Sequence, residues 1–239
     1  MTALIFAAGL GTRLFPLTKN KPKALVEVLG KPMLEHLLLK LKDAHFDHIV
    51  INVHHFASQI IDFLKVKNNF GLHIDISDER NLLLDTGGGI LKAKPFLDKS
   101  DYFLVHNADI FTDMDLGKLI EDHQSGDALA SLAVHPRKSS RQLIFDEHAC
   151  LCGWENQQTN EKIISRKSLI NNNYAFSGVH VISRKIFPLI EETGKFSIID
   201  LYLRLAKDHA IAAHQANYNY WFDLGKYKDI QAAEDFLQK

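Results

Sequence analysis

The sequence predicts an α/β fold, with a Rossmann-like, mainly parallel sheet flanked by helices and a small second lobe. Three observations support this prediction. Short apolar runs alternate with helical patterns through the first half of the chain, 46% of the 239 residues are hydrophobic, and the first apolar run leads directly into a glycine-rich turn. Strand–helix alternation of this kind is typical of a parallel sheet whose two faces are covered by helices.

The first half of the chain supplies the parallel part of the predicted sheet. Continuous or alternating apolar runs predict strands at residues 3–8, 48–53, 72–76 and 101–106. Apolar residues at helical spacing predict helices at residues 33–41 and 56–64, and a short helix is predicted at 89–97.

The second half is less regular, and the predicted lobe lies there. Strands are expected at residues 128–135, 141–146, 175–182 and 220–224. The polar stretch 155–173 predicts an exposed loop, and helices are expected after Ser197 and after Lys226. With no linker or repeat, we expect one domain over residues 1–239: a first part to about 125, a second lobe at 126–225 and a C-terminal helix at 226–239.

Charge and cysteine content exclude several classes of protein. The formal net charge is −1, so we expect no nucleic-acid partner and no attraction to a membrane surface. Cys150 and Cys152 do not have zinc-site spacing. The apolar run before Gly9 is too short for a signal segment or a membrane span. These features predict a cytoplasmic protein.

The segment of residues 9–18, Gly-Leu-Gly-Thr-Arg-Leu-Phe-Pro-Leu-Thr, carries the strongest local signal. Glycines after a first strand let backbone N–H groups approach phosphate oxygens, and Arg13 and Lys23 add positive charge. Leu14 stands where a dinucleotide fingerprint needs its third glycine, and no Gly-Lys-Ser/Thr follows for a P-loop. From spacing alone, a phosphate cradle and a tight turn with two surface cations remain equally open.

Two aspartates and a second glycine tract are further candidates. Asp109 follows the strand predicted at 101–106, and Asp223 lies in another predicted strand near the C-terminus. Ligands bind at the carboxyl ends of parallel strands, although aspartate is also common in turns and helix caps. The tract Asp-Thr-Gly-Gly-Gly at residues 85–89 is either a hinge or a close approach of backbone to a ligand.

Taken together, these segments resemble the signature of the sugar-1-phosphate nucleotidylyltransferases. The resemblance covers the glycine-rich segment with the following Pro-Lys-Ala-Leu, and then the tract at 85–89. It continues through Asn-Ala-Asp at 107–109, Phe-Ser-Gly at 176–178 and Trp-Phe-Asp-Leu-Gly at 221–225. Within this family the chain is most similar to the N-acetylmuramate-1-phosphate uridylyltransferases, and next to the mannose-1-phosphate guanylyltransferases.

The resemblance implies a nucleotide-diphospho-sugar transferase fold, with a nucleotide-binding part at about 1–125 and a small sugar-binding lobe at about 126–225. It also implies a reaction and a set of site residues. The implied reaction joins a nucleoside triphosphate, UTP or GTP, to a sugar 1-phosphate and releases pyrophosphate. Asp109 and Asp223 are expected to hold Mg²⁺, with Arg13 and Lys23 as catalytic cations. The remaining nucleotide contacts are expected at Ala7, Ala8, Gly9, Gly11, Thr12, Thr86, Gly87, Gly88 and Asn107. Sugar contacts are expected at Gly89, Arg141 and Gly178.

The substrates implied by the nearest resemblance are UTP and N-acetylmuramic acid 1-phosphate, a step in the recycling of cell-wall (peptidoglycan) precursors. The alternatives are a mannose-1-phosphate guanylyltransferase, a catalytically silent nucleotide-sugar sensor and a phosphocholine cytidylyltransferase. Glycines at 87–89 favour a sugar over choline, and retention of both cations and both aspartates argues against the sensor. A dehydrogenase is disfavoured because the third glycine of its fingerprint is missing.

Overall fold

The computed structural model describes residues 1–238, so the last residue of the helix predicted at 226–239 lies outside the described part. The strands are β1 (Thr2–Phe6), β2 (Glu27–Val28), β3 (Lys31–Pro32), β4 (His48–Val53), β5 (His73–Asp78), β6 (Tyr102–Asn107), β7 (Ile110–Thr112), β8 (Ala130–His135), β9 (Arg141–Phe145), β10 (Leu151–Asn156), β11 (Glu161–Ile164), β12 (Asn172–Ser183), β13 (Ile211–Gln215) and β14 (Trp221–Asp223). The α-helices are α1 (Met33–Asp43), α2 (Ala57–Val66), α3 (Asp85–Leu97), α4 (Leu116–Gln124), α5 (Ile198–Leu205) and α6 (Tyr227–Leu237).

The chain divides into two compact units that are interleaved in sequence. The first unit contains Met1–Leu83, His106–Met114 and the chain from Tyr218 onward. The second contains Leu84–Val105 and Asp115–Asn217. The predicted division into a nucleotide-binding part, a second lobe and a C-terminal helix assigns a role to each part. Those roles are not tested by the contacts of the chain, so the division stays a prediction.

The sheet of the first unit is parallel, as predicted for the first half of the chain. Strand β4 pairs with β1 and with β5, and both pairings are parallel. The central residues of β1 and β4 are fully buried, which explains their continuous apolar runs. Helices α1 and α2 each bury one apolar face, including Leu34, Leu38 and Ile60. The predicted α/β fold class is therefore confirmed.

A small hydrophobic cluster in the first unit anchors the segments that carry charged site candidates. Its buried members are Leu14, Val26, Val28, Met33, Leu224, Ile230 and Ala233. Leu14 follows Arg13, Val26 lies three residues after Lys23, and Leu224 follows Asp223. Arg13, Lys23 and Asp223 are far apart in the sequence. Burial of their apolar neighbours in one hydrophobic cluster therefore fixes all three segments to the same part of the unit.

The second unit contains a mixed sheet built around the long strand β12. Strand β12 pairs antiparallel with β8 and with β9, and β13 adds to β8 in parallel. The register of β12 against β8 shifts between Phe176 and His180, and Gly178 within this interval has a φ of +77°. Glycine accepts this left-handed backbone without the strain that a Cβ would cause, which explains its use at a bulge.

Two local predictions were wrong in the second unit. Residues 155–173, predicted as a loop, contain the end of β10, all of β11 and the start of β12. The hairpin was missed because every residue of β11 is exposed, so no apolar alternation marks the strand. The helix predicted at 89–97 begins four residues earlier, at Asp85, and the glycines form its first turn.

Among the described residues, none of the helices combines the length and apolar character that crossing a bilayer requires.

Candidate active site

The glycine-rich loop begins with two backbone N–H groups that are held by a side chain from the neighbouring strand. The N–H groups of Ala7 and Ala8 donate to Asn52 Oδ1, at 2.7 and 3.2 Å. Asn52 Nδ2 in turn donates to Glu79 Oε1 at 2.8 Å, and both side chains are buried. This chain of hydrogen bonds links the carboxyl ends of β1, β4 and β5. The amides of Ala7 and Ala8 thus orient the loop, and contact of these residues with a nucleotide stays a prediction.

The two glycines of the loop have different surroundings. Gly11 has a φ of +66°, and a Cβ there would lie 2.8 Å from Thr18 Cγ2. Its carbonyl oxygen also accepts a hydrogen bond from Thr18 Oγ1 at 2.8 Å. At Gly9 a Cβ would meet no atom of the described residues within 4 Å. The protein's own packing therefore accounts for Gly11 but leaves the glycine at position 9 unexplained, which is consistent with a ligand approaching there.

Thr12 and Arg13 are exposed on a short 3-10 helix, Thr12–Leu14, whose last residue is buried. A second 3-10 helix, Lys23–Leu25, follows Pro22 and begins at the other predicted catalytic cation. Lys23 Nζ forms an ion pair with Asp109 Oδ2, and only 12% and 24% of these side chains are exposed. The structure therefore brings the predicted lysine directly to the first predicted metal ligand.

Strand pairing brings the second aspartate beside the first. Asp223 lies opposite Ile110 in the antiparallel pair of β14 and β7, and the Leu224 N–H donates to the Asp109 carbonyl at 2.8 Å. Burial and the nearby negative charge of Asp109 raise the pKa of Asp223, and Lys23 and Arg13 act in the opposite direction. Two carboxylates and two cations thus share one cluster in the first unit.

Gly225 is part of this cluster, although it was not among the predicted site residues. A Cβ at position 225 would lie 2.8 Å from Asp223 Oδ1 and 2.9 Å from Arg13 Nη2. Both distances are shorter than a carbon–oxygen or carbon–nitrogen contact allows, so a larger residue would displace one of the two side chains. Glycine at this position therefore leaves room for both the Arg13 and the Asp223 side chains.

The carboxylates have the character of a site for a hard divalent cation. Asp223 Oδ1 is buried and accepts no hydrogen bond within the described part of the chain. A buried carboxylate oxygen without a partner is costly unless a cation or a ligand completes it. Mg²⁺ prefers oxygen donors and is usually held by one or two carboxylates together with substrate phosphates. Asp109 and Asp223 fit this description.

His106 and Asn107 lie at the end of β6. The His106 ring is fully buried, its Nδ1 lies 2.9 Å from the Asn107 carbonyl oxygen, and burial lowers its pKa to about 4. His106 is therefore neutral at physiological pH. Contact of Asn107 with a nucleotide stays a prediction.

In the second unit, the tract at 86–89 is packed against another segment of the same unit. The N–H groups of Gly87 and Gly88 donate to the Phe196 carbonyl oxygen at 2.9 and 3.3 Å, and Thr86 Oγ1 accepts from the Ile198 N–H. A Cβ at Gly88 would lie 2.3 Å from the Gly194 carbonyl oxygen. Internal packing therefore explains two of the three glycines, and their contact with a ligand stays a prediction.

The predicted sugar contacts in the second unit have unequal surroundings. Gly89 is buried within α3, and Gly178 is buried at the bulge of β12. Arg141 begins β9 and is exposed, whereas Arg137 in the preceding loop donates from Nη2 to the Phe176 carbonyl at 3.0 Å. Of the two arginines, Arg137 is tied to β12, and Arg141 is the one that extends into solvent.

Comparison with known proteins identifies the family. The profile of the nucleotidyl transferase family matches residues 2–239. The chain belongs to this family. Its relatives, named below as uridylyltransferases, place it among the sugar-1-phosphate nucleotidylyltransferases. Enzymes of the family generally depend on a divalent metal ion.

The similarity to individual proteins extends over almost the whole chain. An N-acetylmuramate alpha-1-phosphate uridylyltransferase from Caulobacter vibrioides is 34% identical, over 97% of this chain and 95% of the relative. A bifunctional GlmU protein from Methanocaldococcus jannaschii is 30% identical over 99% of this chain, which spans only 54% of that relative. The structure of HddC from Yersinia pseudotuberculosis complexed with GMP-PN covers 99% of both chains, with 25% identity and a TM-score of 0.76.

Sequence reasoning did not select Asn52, Glu79 or Gly225 as site residues, although Gly225 ends the Trp-Phe-Asp-Leu-Gly segment of the family resemblance. Asn52 carried a usable signal, because it is the polar residue within the apolar run of β4. A polar side chain at the carboxyl end of a buried parallel strand is a candidate for the binding edge of the sheet. Glu79 had no such signal, since it follows a half-exposed strand and its partner Asn52 lies 27 residues earlier in the sequence.

Proposed function

We propose that this nucleotidyl transferase joins UTP to N-acetylmuramic acid 1-phosphate and releases pyrophosphate, as a step in the recycling of cell-wall sugars. One observation carries the proposal: Asp109 and Asp223 lie beside Lys23 and Arg13 in a partly buried cluster. The choice of substrates is supported by two relatives with this printed activity, at 34% and 32% identity over nearly all of the chain.

Nucleotidyl transfer to a sugar 1-phosphate depends on neutralising negative charge more than on acid–base catalysis. A phosphate monoester has a second pKa near ~6 and is largely dianionic at neutral pH, so the sugar phosphate is already a nucleophile. Its approach to the α-phosphate of the triphosphate is opposed by repulsion between two anions. A site for this reaction therefore has to supply positive charge and alignment.

In the proposed site, Asp109 and Asp223 hold Mg²⁺. Bound there, the ion would offset the repulsion between the phosphates of the two substrates. The buried, unpartnered oxygen of Asp223 and the 24% exposure of the Asp109 side chain support this role. The Lys23–Asp109 ion pair restrains the lysine, so its charge is already oriented before substrates bind.

The cations and the glycine-rich loop act on the phosphates directly. The Lys23 ammonium group neutralises charge where the α-phosphate meets the sugar phosphate. Arg13 and the backbone N–H groups of Gly9, Gly11 and Thr12 bind the departing pyrophosphate. The open space over Gly9 supports a close approach of phosphate oxygens to this backbone. In the second unit, we propose that Thr86, Gly87 and Gly88 contact the nucleotide and that Gly89, Arg141 and Gly178 contact the sugar.

The test is a pyrophosphate-release screen of four nucleoside triphosphates against the 1-phosphates of N-acetylmuramic acid, N-acetylglucosamine, glucose and mannose. We expect the highest kcat/KM for UTP with N-acetylmuramic acid 1-phosphate, in the presence of Mg²⁺. A preference for GTP with mannose 1-phosphate would contradict the proposed substrates but would leave the proposed type of reaction, nucleotidyl transfer to a sugar 1-phosphate, in place. No product from any pair would leave a nucleotide-sugar sensor as the function.

A further inference from the structure

The amino ends of β1, β4 and β5 hold a cluster of metal-ligating side chains that the nucleotidyl transfer does not use. His48 and His73 are paired in the parallel register of β4 and β5, and Asp75 lies two residues along β5 on the same face. One ligand atom from each of the three lies within 4.8 Å of the others. All three residues belong to the first unit.

The donor atoms of this cluster converge on one point. His48 Nε2 lies 2.9 Å and His73 Nε2 lies 3.8 Å from the same oxygen, Asp75 Oδ2. The two imidazole rings are stacked, with centroids 4.6 Å apart and planes 19° from parallel. Two ring nitrogens and a carboxylate oxygen are therefore presented to a common centre by the backbone register of adjacent strands.

The second nitrogen of His48 has a partner that suits metal binding. His48 Nδ1 lies 3.4 Å from Thr2 Oγ1, which comes from the residue opposite it in β1. Without a metal, His48 Nε2 donates to Asp75 Oδ2. In the tautomer that binds a metal ion, the proton lies on Nδ1, which donates to the Thr2 hydroxyl, and Nε2 offers its lone pair to the ion. Metal-binding histidines almost always have such a partner for their other ring nitrogen.

We propose that His48, His73 and Asp75 bind one divalent transition-metal ion, with Zn²⁺ as the ion to test. Imidazole nitrogen suits Zn²⁺, whereas Mg²⁺ prefers oxygen ligands, so this site and the aspartate pair select different metals. Three protein ligands leave a fourth position for water. The side chain of His73 is 71% exposed, so an ion reaches the cluster directly from solvent.

This site is separate from the phosphate site. In the register of β1 with β4, Thr2 lies opposite His48 and Phe6 lies opposite Asn52. Four residues of strand, about 13 Å, therefore separate the metal cluster at the amino ends from the loop at the carboxyl ends. Occupation of the cluster stabilises the first unit without taking part in nucleotidyl transfer.

The experiment is a Zn²⁺ titration of the metal-free full chain, followed by isothermal calorimetry and by the melting temperature. The titration is run with the Asp223→Asn chain as the parent, so that Zn²⁺ bound by the aspartate pair does not add to the number of ions bound per chain. We expect one ion per chain and a rise in melting temperature with Zn²⁺ concentration. His73→Ala should weaken binding at least ~10-fold and remove the rise, because it deletes one of three ligands.

His209→Ala is the matched control, since His209 is exposed and lies outside the cluster. It should bind Zn²⁺ like the parent chain, as should a Cys150→Ser, Cys152→Ser double variant. Equal binding by His73→Ala and by the parent, absence of binding in the parent, or loss of binding only in the cysteine variant would each overturn the proposal. With Asp223 intact, turnover with Mg²⁺ should be the same in His73→Ala as in the wild type, so these results are independent of the proposed substrates.

Discussion

Lys23 and Asp109 form an ion pair across 86 residues of sequence, and both side chains are mostly shielded from solvent. This pair joins the glycine-rich segment to the first of the two aspartates. It also gives the proposed catalytic lysine a fixed position, in contrast to Lys21 on the other side of Pro22, which forms no ion pair within residues 1–238.

The first prediction compares these two lysines. Lys23→Ala should lower kcat by ~10²–10³, because one preorganised charge at the transferred phosphoryl group is lost. Lys21→Ala should change kcat by less than ~3-fold, as expected when a charge near the surface is removed. Steady-state pyrophosphate release under Mg²⁺ measures both. Equal losses in the two variants would remove Lys23 from its assigned role.

The second prediction concerns the open space over Gly9. Gly9→Ala should leave the melting temperature unchanged or slightly higher, because the added Cβ meets no atom of residues 1–238 within 4 Å. It should lower kcat/KM for the triphosphate at least ~10-fold, since a methyl group would stand where phosphate oxygens approach.

Gly126→Ala is the control for this variant, because the nearest atom to its added Cβ is 3.9 Å away and it lies outside the loop. Its activity and stability should match those of the wild type. Full activity of Gly9→Ala would mean that phosphates do not approach the backbone at this position.

The parallel half of the fold was predictable because β1 and β4 are almost fully buried, β5 alternates as a half-exposed strand does, and the helices α1 and α2 each bury one face. The sequence pattern also marked Lys23, Asp109 and Asp223, through their resemblance to a family signature. It did not mark the helical turn at Asp85, because Gly87 and Gly88 are held there by the Phe196 carbonyl, more than 100 residues further along. Strand β11 was missed because it is exposed along its whole length, so its sequence carries no apolar alternation.

The third prediction is a pH dependence that arises from His106. An ordinary histidine has a pKa near 6.5, and burial lowers that of His106 to about 4. Between these values the unfolded chain binds a proton that the folded chain does not, so the free energy of unfolding falls as the pH is lowered. The fall due to this residue should total roughly 3 kcal/mol and be complete by about pH 4.

Urea unfolding of wild type and His106→Gln at several pH values between 7 and 4 measures this contribution. Glutamine does not titrate, so the free energy of unfolding of wild type should fall relative to that of His106→Gln as the pH is lowered from 7 to 4. The relative fall should total roughly 3 kcal/mol. His209→Ala, which removes an exposed histidine, should keep the wild-type pH dependence. Parallel curves for wild type and His106→Gln would contradict the assignment.

The fourth prediction concerns the lactyl carboxylate that distinguishes N-acetylmuramic acid from N-acetylglucosamine. If Arg141 pairs with it, Arg141→Ala should lose roughly 1.5–3 kcal/mol in kcat/KM toward the muramic substrate and little toward the glucosamine substrate. Lys138→Ala removes an exposed cation from the loop before β9 and should change kcat/KM for neither sugar. An equal loss of kcat/KM for both sugars, or no loss for either, would show that Arg141 does not pair with the lactyl carboxylate.

The most direct test of the account is the turnover of Asp223→Asn and Asp109→Asn, measured as pyrophosphate and nucleotide sugar formed in the same reaction. Wild type should release the two products in equal amounts when Mg²⁺ is present. Each variant should remain folded and show kcat at least ~100-fold lower, because loss of one carboxylate weakens the ion that offsets phosphate repulsion. Near-normal turnover in either variant would contradict the claim that these two aspartates form the catalytic metal site.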